Sequence, residues 1–369
     1  MQKKLMSIIL IVVISMLSGC GQTNSNMSSK VENSTSQVVL SDVNVNDIEE
    51  MDLTEQIHPE LRKNLPEFGT GSLVTKEMIP DIRESLKGME SENVATNDNV
   101  TVTQKTVPGL PGNPDVTIYI FKPVHAGSNM PGMLYIHGGG MIFGSVNEIT
   151  NDLINEADSL NCTIISPEYR LAPENPYPAG LNDCYAALSW FAGNAKELNV
   201  NPDNIVVSGM SAGGGIAAAI AIKARDENGP KIAAQFLDSP MLDYRNNTSS
   251  AMEITDKRFW CRQENILAWE MYLGTQHPEK VSPQASPAVL NNFEGLPPTF
   301  ISVGEVDVFR DESIAYAQKL QQAGIFTDLH VYAGVYHGAS GDYPYAEICK
   351  KMVQDRINAI SNFYKHGYF

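Results

Sequence analysis

A serine between glycines is the first feature of this sequence with chemical potential. The segment Gly209-Met210-Ser211-Ala212-Gly213 follows the apolar run Ile205–Val207 and precedes a run of small residues, Gly214–Ala224. A strand, a sharp turn with serine at its tip, and a helix together form a nucleophile elbow, which presents the hydroxyl above the end of the sheet. The pattern therefore predicts Ser211 as the nucleophile of an acyl-transfer reaction.

A glycine-rich loop stands about seventy residues before this serine, at the end of the apolar run Met133–Ile136. The loop consists of His137, Gly138, Gly139 and Gly140. Glycines allow a backbone to approach a ligand closely, and their N–H groups can stabilise the negative oxygen that forms during acyl transfer. We expect the three glycines to form an oxyanion hole together with the N–H of Ala212, with His137 as part of the motif.

An acid and a base follow in the order that a catalytic triad on this type of sheet requires. Asp307 comes after the apolar run Thr299–Gly304, and His337 comes after the strand-like run Leu329–Tyr332. Serine needs a base within hydrogen-bonding reach, and the base needs an acid that fixes its tautomer. The order serine, acid, histidine predicts Ser211, Asp307 and His337 as the catalytic residues.

Other acids and histidines compete for these roles. Asp311 and Glu312 have the positions of first-turn acids in a following helix, where the helix dipole favours negative charge. Glu305 is another possible acid, but it stands at the end of the strand rather than in the loop. His330 lies within a strand pattern, which favours a structural role.

These motifs together resemble the bacterial hormone-sensitive-lipase family of α/β-hydrolases, which contains many carboxylesterases. The resemblance extends from about Ile57 to the C-terminus. It rests on the segments His137–Gly140, Tyr169–Glu174, Gly209–Gly214, Ser239–Asp243, Asp307–Glu312 and His337–Gly338. It implies an α/β-hydrolase fold with a helical cap, formed by an N-terminal segment and an insertion after the sixth strand. It also implies hydrolysis of short-acyl esters.

The sequence departs from the family pattern at positions close to the expected site. Met210 precedes the serine where the family has Asp, Glu or Thr, and Met141 follows the glycine triplet where an aromatic residue is common. None of these departures removes a residue of the predicted triad or oxyanion hole. They leave the walls of the substrate pocket, and therefore its acyl preference, undetermined.

The N-terminus has the pattern of an export signal. Lys3 and Lys4 precede an apolar run, Leu5–Leu17, which is too short for a typical transmembrane helix. The sequence Leu17-Ser18-Gly19-Cys20 resembles a bacterial lipobox, in which cleavage leaves the cysteine as the lipidated first residue. We expect residues 1–19 to be a lipoprotein signal peptide and Cys20 to attach the exported protein to the membrane. An uncleaved anchor and an ordinary signal peptide are the alternatives.

The rest of the chain divides into three parts. Residues 20–45 are rich in Ser, Asn, Thr and Gln, which is typical of a flexible tether. Residues 46–95 contain helical patterns at Leu61–Leu65 and Ile79–Leu86, as expected for an N-terminal cap segment. Residues 96–369 form the predicted catalytic domain, which an aromatic-rich stretch interrupts at about 244–292. Its aromatic side chains either line a substrate pocket or pack the cap onto the core.

Alternating strand-like and helical stretches predict the catalytic domain to be a doubly wound, mostly parallel sheet with helices on both faces. The strand-like runs are Val116–Phe121, Met133–Ile136, Cys162–Ser166, Ile205–Ser208, Ala233–Leu237, Thr299–Val303 and Asp328–Tyr332.

Charge and composition narrow the function further. The net charge of −17 argues against a nucleic-acid partner, because such proteins carry basic patches. The sequence contains no nucleotide-binding or metal-binding motif, so we expect no cofactor. A peptidase or amidase on the same fold is an alternative to the esterase. A non-catalytic binding protein is less consistent with a full set of catalytic residues. The oligomeric state is not predicted.

Overall fold

The computed structural model describes residues 43–90, 98–125, 127–274 and 280–369. The predicted signal peptide, Cys20 and nearly all of the predicted tether lie outside these residues. No helix in the described ranges is long and apolar enough to cross a lipid bilayer.

Eight strands form one sheet in the order β1-β2-β4-β3-β5-β6-β7-β8. The strands are β1 (Val100–Val107), β2 (Val116–Pro123), β3 (Met130–Ile136), β4 (Thr163–Glu168), β5 (Val200–Met210), β6 (Gln235–Asp238), β7 (Thr299–Val306) and β8 (Thr327–Tyr336). Strand β2 pairs antiparallel with β1 and β4, and every other neighbouring pair is parallel. The carboxyl ends of the parallel strands therefore meet at one edge of the sheet. The predicted α/β-hydrolase fold is confirmed.

Helices cover both faces of this sheet. The α-helices of the described ranges are α1 (Pro59–Arg62), α2 (Ile79–Glu90), α3 (Thr150–Leu160), α4 (Ala179–Gly193), α5 (Ala212–Asp226), α6 (Ser249–Glu253), α7 (Arg262–Leu273), α8 (Arg310–Gln322), α9 (Ala339–Asp342) and α10 (Glu347–His366). Alternate residues of a strand contact opposite layers. In β3, Met133 packs with residues of α3 and α10, and Leu134 packs with residues of α4 and α5.

The structure differs from the sequence prediction at the first strand and in the N-terminal segment. Strand β1 was not predicted, because six of its eight residues are exposed at the sheet edge and its pattern is largely polar. The helical pattern at Leu61–Leu65 gives only the end of the short helix α1, which stops at Arg62. Leu65 precedes Pro66, and the residue before a proline is disfavoured in a helix.

The N-terminal segment is fastened to the insertion at 244–292 by a buried arginine. The guanidinium of Arg258, which is almost fully buried, pairs with both carboxylate oxygens of Asp256. It also contacts Asp52 and Thr54 of the N-terminal segment, each at 2.9 Å. These two separate parts of the chain therefore form one layer.

A second buried ion cluster lies on the other side of the sheet and joins α3, β6 and α10. Arg356 forms two hydrogen bonds of 2.8 Å with the carboxylate of Glu156, and its Nε lies 2.9 Å from Asp238 Oδ2. Ser302 of β7 donates a hydrogen bond to Asp238. Because the backbone carbonyl of Asp238 accepts from Ser211 N, this cluster also supports the strand end next to the elbow.

Candidate active site

Ser211 lies on a strained turn between β5 and α5. Its backbone has φ 58° and ψ −123°, in the region that non-glycine residues rarely adopt. Two neighbours must be glycine for steric reasons. A Cβ on Gly209 would overlap the carbonyl of Gly213, and a Cβ on Gly213 would overlap the carbonyl of Ile136. The tight packing of β5, α5 and β3 therefore requires these glycines and forces the serine into the turn.

The structure brings Ser211, His337 and Asp307 into one hydrogen-bonded chain. His337 Nε2 lies 3.0 Å from Ser211 Oγ, and His337 Nδ1 lies 2.8 Å from Asp307 Oδ2. The three residues follow β5, β8 and β7, whose carboxyl ends meet at the same edge of the sheet. A base in contact with both a hydroxyl and a carboxylate is the arrangement that activates a serine for nucleophilic attack.

The acid of this chain is enclosed and fixed in orientation. Asp307 is fully buried, and its second carboxylate oxygen accepts a hydrogen bond of 2.9 Å from Phe309 N. The ring of Phe309 packs edge-on against the imidazole of His337, with centroids 4.9 Å apart. The histidine is therefore held between a carboxylate and an aromatic ring, which limits its rotation.

The glycine-rich loop lies beside the serine because β3 and β5 are adjacent, with Ile136 paired to Gly209. A Cβ on Gly138 would lie 3.4 Å from Ser211 Cβ. Within the described ranges, the N–H groups of Gly139, Gly140 and Ala212 donate to no backbone carbonyl. Donors left without acceptors at a helix start and in a glycine turn are suited to bind an anionic oxygen.

His137 supports this loop from below. It is 2% exposed, its ring stacks on Tyr169 at 4.2 Å, and its Nδ1 donates to the carbonyl of Gly138 at 2.8 Å. Burial lowers the pKa of His137 to about 4, so the imidazole is neutral near pH 7. Tyr169 Oη in turn donates to the carbonyl of His137 at 3.0 Å.

Arg83 of α2 ties the N-terminal segment to the same loop. Its guanidinium donates to the carbonyls of Ile142 and Ala172, at 2.9 Å and 2.5 Å, and pairs with Glu174 at 2.8 Å. Since Ala172 N donates to the carbonyl of Met141, the arginine connects two loops that surround the glycine triplet. Sequence analysis did not find this role, because the partners are more than fifty residues away along the chain.

The other acids and the other histidine that the sequence offered for these roles contact residues outside the predicted triad. Glu305 Oε2 accepts from Gly334 N at 2.9 Å, and His330 Nε2 lies 3.1 Å from Asp328. Asp311 accepts from Ser250 N at 2.8 Å and pairs with Arg310. Only Asp307 among these acids contacts His337 in the structure.

The insertion at 244–292 covers the glycine loop. A Cβ on Gly140 would lie 2.6 Å from the ring of Trp260 and 3.5 Å from the side chain of Ala268. The indole N–H of Trp260 donates to Asn265 Oδ1 at 3.3 Å, which fixes the ring above the loop. Among the aromatic residues of this insertion, Trp269 and Tyr272 are buried in the core, whereas Trp260 is only partly buried and lies next to the glycine loop.

The chain matches a family model described as alpha/beta hydrolase fold over residues 133–340, a range that contains the elbow, the glycine loop, Asp307 and His337. The protein belongs to this α/β-hydrolase family. It is 35% identical over 246 residues to Carboxylesterase NlhH of Mycobacterium tuberculosis, covering 64% of this chain and 75% of the relative. It is 31% identical over 277 residues to an Arylesterase of Saccharolobus solfataricus, covering 73% and 88% respectively.

Solved structures of esterases also resemble this α/β-hydrolase in fold. A bacterial heroin esterase superposes with a TM-score of 0.78 at 35% identity, covering 84% of this chain and 99% of that one. Esterase LipW from Mycobacterium marinum superposes with a TM-score of 0.77 at 32% identity, covering 86% and 99%. The likeness therefore extends beyond the range of the family model, and it spans nearly the full length of the two solved esterases.

Proposed function

We propose that this protein is a serine carboxylesterase that hydrolyses short-acyl esters. The observation that carries the proposal is the hydrogen-bonded chain from Asp307 through His337 to Ser211, beside backbone N–H groups without backbone acceptors. Ester hydrolysis is also the activity in the names of the relatives described above. The reaction needs no metal or organic cofactor, because the three side chains and the backbone supply a nucleophile, a base and an electrostatic stabiliser.

In the first half of the reaction, Ser211 Oγ attacks the ester carbonyl carbon while its proton passes to His337 Nε2. The carbonyl oxygen becomes negative and accepts hydrogen bonds from the N–H groups of Gly139, Gly140 and Ala212, with Gly138 lining the turn. The intermediate collapses when the bond to the alcohol oxygen breaks and His337 returns its proton to that oxygen. The alcohol leaves, and the acyl group stays on Ser211.

In the second half, a water molecule attacks the acyl carbon and gives one proton to His337 Nε2. The bond from the acyl carbon to Ser211 Oγ breaks, and the serine recovers the proton from the histidine. The products are one carboxylic acid and one alcohol for each ester and water consumed. Throughout, Asp307 fixes the Nδ1 proton of His337 and stabilises the imidazolium, and it does not itself gain a proton.

The cover over Gly140 supports a preference for short acyl groups. We infer that a substrate whose carbonyl oxygen binds the N–H groups of the glycine loop brings one of its substituents towards the ring of Trp260, which lies next to Gly140. An aromatic ring fixed by a hydrogen bond limits the length of the pocket in that direction. Each methylene that fits gains about 0.8 kcal/mol from burial, and each one beyond the pocket costs strain.

The decisive test replaces the nucleophile. Ser211→Ala removes only one oxygen, so the variant should fold normally and lose nearly all hydrolysis of p-nitrophenyl acetate. A fluorophosphonate probe should label Ser211 in the wild-type protein and no serine in the variant. Hydrolysis by Ser211→Ala near the wild-type rate would overturn the proposal. Hydrolysis of p-nitroanilides in preference to the matching esters would favour an amidase or peptidase.

We also propose that the protein is exported and held at the membrane by lipid on Cys20. The support is the sequence Leu17-Ser18-Gly19-Cys20 after a basic start and a short apolar run. Cys20→Ser should abolish lipid attachment and cleavage at that position while leaving the hydrolase domain active. Mass spectrometry of the mature N-terminus is the measurement, and an unmodified chain with another N-terminus would contradict the proposal.

A further inference from the structure

A buried glutamate connects the acid segment to the loop behind the nucleophile. Glu312 lies in the first turn of α8, five residues after Asp307, and it is 2% exposed. Its Oε1 accepts hydrogen bonds from Leu242 N at 2.6 Å and from Asp243 N at 3.2 Å. Its Oε2 is buried and makes no hydrogen bond within the described ranges. The sequence indicates only a first-turn acid of a helix at this position.

The loop that Glu312 holds is in contact with the backbone of Ser211. Met241 N donates to the carbonyl of Ser211 at 3.0 Å, and Ser211 N donates to the carbonyl of Asp238 at 2.8 Å. The N–H of the strained residue is therefore bonded to the last residue of β6, and its carbonyl accepts from the loop that follows β6. A Cβ on Gly215 would overlap the carbonyl of Met241, so the loop also packs directly on α5.

The carbonyl side of the same loop is bonded to other residues, not to Glu312. Ser286 Oγ donates to the carbonyl of Leu242 at 2.7 Å, and Ala288 N donates to the same carbonyl at 3.1 Å. The N–H side of the loop has Glu312 as its acceptor at two successive residues. Glu312 Oε1 is therefore the atom that fixes the distance between the N–H groups of this loop and α8.

We propose that Glu312 is a positioning residue, which holds the loop 241–243 against Ser211 and thereby fixes the nucleophile relative to the segment that carries Asp307. The inference rests on the proposed function, because it assigns Ser211 as the nucleophile. Glu312 acts through hydrogen bonds to the loop and touches neither substrate nor His337. What matters is an acceptor oxygen at the right distance from the backbone of α8, rather than a negative charge.

Burial and the nearby carboxylates of Asp243 and Asp307 raise the pKa of Glu312 well above its usual range. A neutral side chain of the same length should therefore replace it. Gln keeps the length and the acceptor oxygen, Asp keeps the acid group but is shorter by one methylene, and Leu removes the acceptor. The proposal predicts that activity falls in the order Gln, Asp, Leu, whereas a requirement for charge predicts Asp above Gln.

The experiment measures kcat and KM for p-nitrophenyl acetate in Glu312→Gln, Glu312→Asp and Glu312→Leu. Glu312→Gln should keep kcat within about twofold, and Glu312→Leu should lower kcat by about tenfold or more with KM nearly unchanged. Fluorophosphonate labelling of Ser211 should slow in parallel. Wild-type kcat in a folded Glu312→Leu or Glu312→Asp would overturn the proposal, as would a Glu312→Gln no better than Glu312→Asp.

Amide hydrogen exchange gives a readout that does not depend on esterase activity. Peptides containing residues 241–243 should exchange faster in Glu312→Asp and Glu312→Leu than in Glu312→Gln. Leu153→Ala, a fully buried change on α3 at the other face of the sheet, is the control for general loss of stability and should leave kcat unchanged. If Glu312→Leu does not fold, the Gln and Asp variants decide the question. Unchanged exchange in Glu312→Asp would contradict the role of Glu312 even if the enzyme proved not to be an esterase.

Discussion

Asp307 and Asp311 are four residues apart, yet their carboxylates face different parts of the molecule. Asp307 is fully buried and lies 2.8 Å from His337 Nδ1. Asp311 accepts from Ser250 N at the start of α6 and pairs with Arg310. One carboxylate belongs to the hydrogen-bonded chain of the site, and the other joins α8 to the insertion at 244–292.

The first prediction follows from this separation. Asp307→Asn should lower kcat by about 10⁴, because the amide favours the wrong tautomer of His337, as in serine proteases. Asp311→Asn should change kcat by less than about threefold, because its contacts lie away from His337. Steady-state hydrolysis of p-nitrophenyl acetate by both variants is the measurement. The reverse result would show that the wrong acid has been assigned.

The second prediction concerns the buried cluster of Arg356, Glu156 and Asp238. Arg356→Met should lower the free energy of unfolding by about 3–5 kcal/mol, because the buried carboxylate of Glu156 and the partly buried carboxylate of Asp238 lose their counter-charge. Chemical denaturation of the form lacking residues 1–20 measures this loss. Adding Glu156→Gln to the same chain should recover part of it. A loss below about 1 kcal/mol would mean that the carboxylates are not buried as the structure places them.

The three residues of the proposed triad could be located from sequence because each of them follows a strongly apolar strand. Strands β5, β7 and β8 fix the positions of Ser211, Asp307 and His337 along the chain. The parallel order of the sheet then brings their ends together. The glycine loop was predictable for the same reason, since it directly follows β3.

The supporting contacts could not be predicted in this way. Glu312 has the sequence position of a first-turn acid in a helix, and only the three-dimensional path of the loop after β6 makes it a buried acceptor for that loop. Arg83 and Trp260 contact the glycine loop from distant parts of the chain, and nothing in their local sequence indicates the partner. Strand β1 was missed because an edge strand with exposed side chains lacks the apolar signal of the others.

The third prediction uses the neutral His137. Its pKa in the folded protein is about 4, below the usual value of 6.5, so the unfolded chain binds a proton more readily between these values. The contribution of His137 to stability is therefore complete above pH 6.5 and is lost as the pH falls towards 4. The loss is about 3 kcal/mol over this range.

His137→Gln tests this contribution, because glutamine does not titrate. The variant should be less stable than the wild type at pH 7, since it loses the ring stacked on Tyr169. The difference between the two should shrink by about 3 kcal/mol between pH 7 and pH 4. Unfolding free energies measured at several pH values decide the matter. Parallel curves for the two proteins would rule out a buried neutral imidazole.

The last prediction concerns the ring of Trp260 above Gly140. For the wild-type protein, kcat/KM for p-nitrophenyl esters should peak at about two to six acyl carbons and fall by about ten, because the pocket gains burial only until it is full. Trp260→Ala should move the peak to longer chains, with a gain of up to about fourfold for each additional methylene that the enlarged pocket accommodates. The matched control is Trp190→Ala, which removes the same side chain from α4, where it lies beneath Lys105. That control should leave the chain-length profile unchanged. An unchanged profile in Trp260→Ala would show that the ring does not limit the pocket. A wild-type kcat/KM that rises steadily to long acyl chains would indicate a lipase rather than a short-acyl esterase.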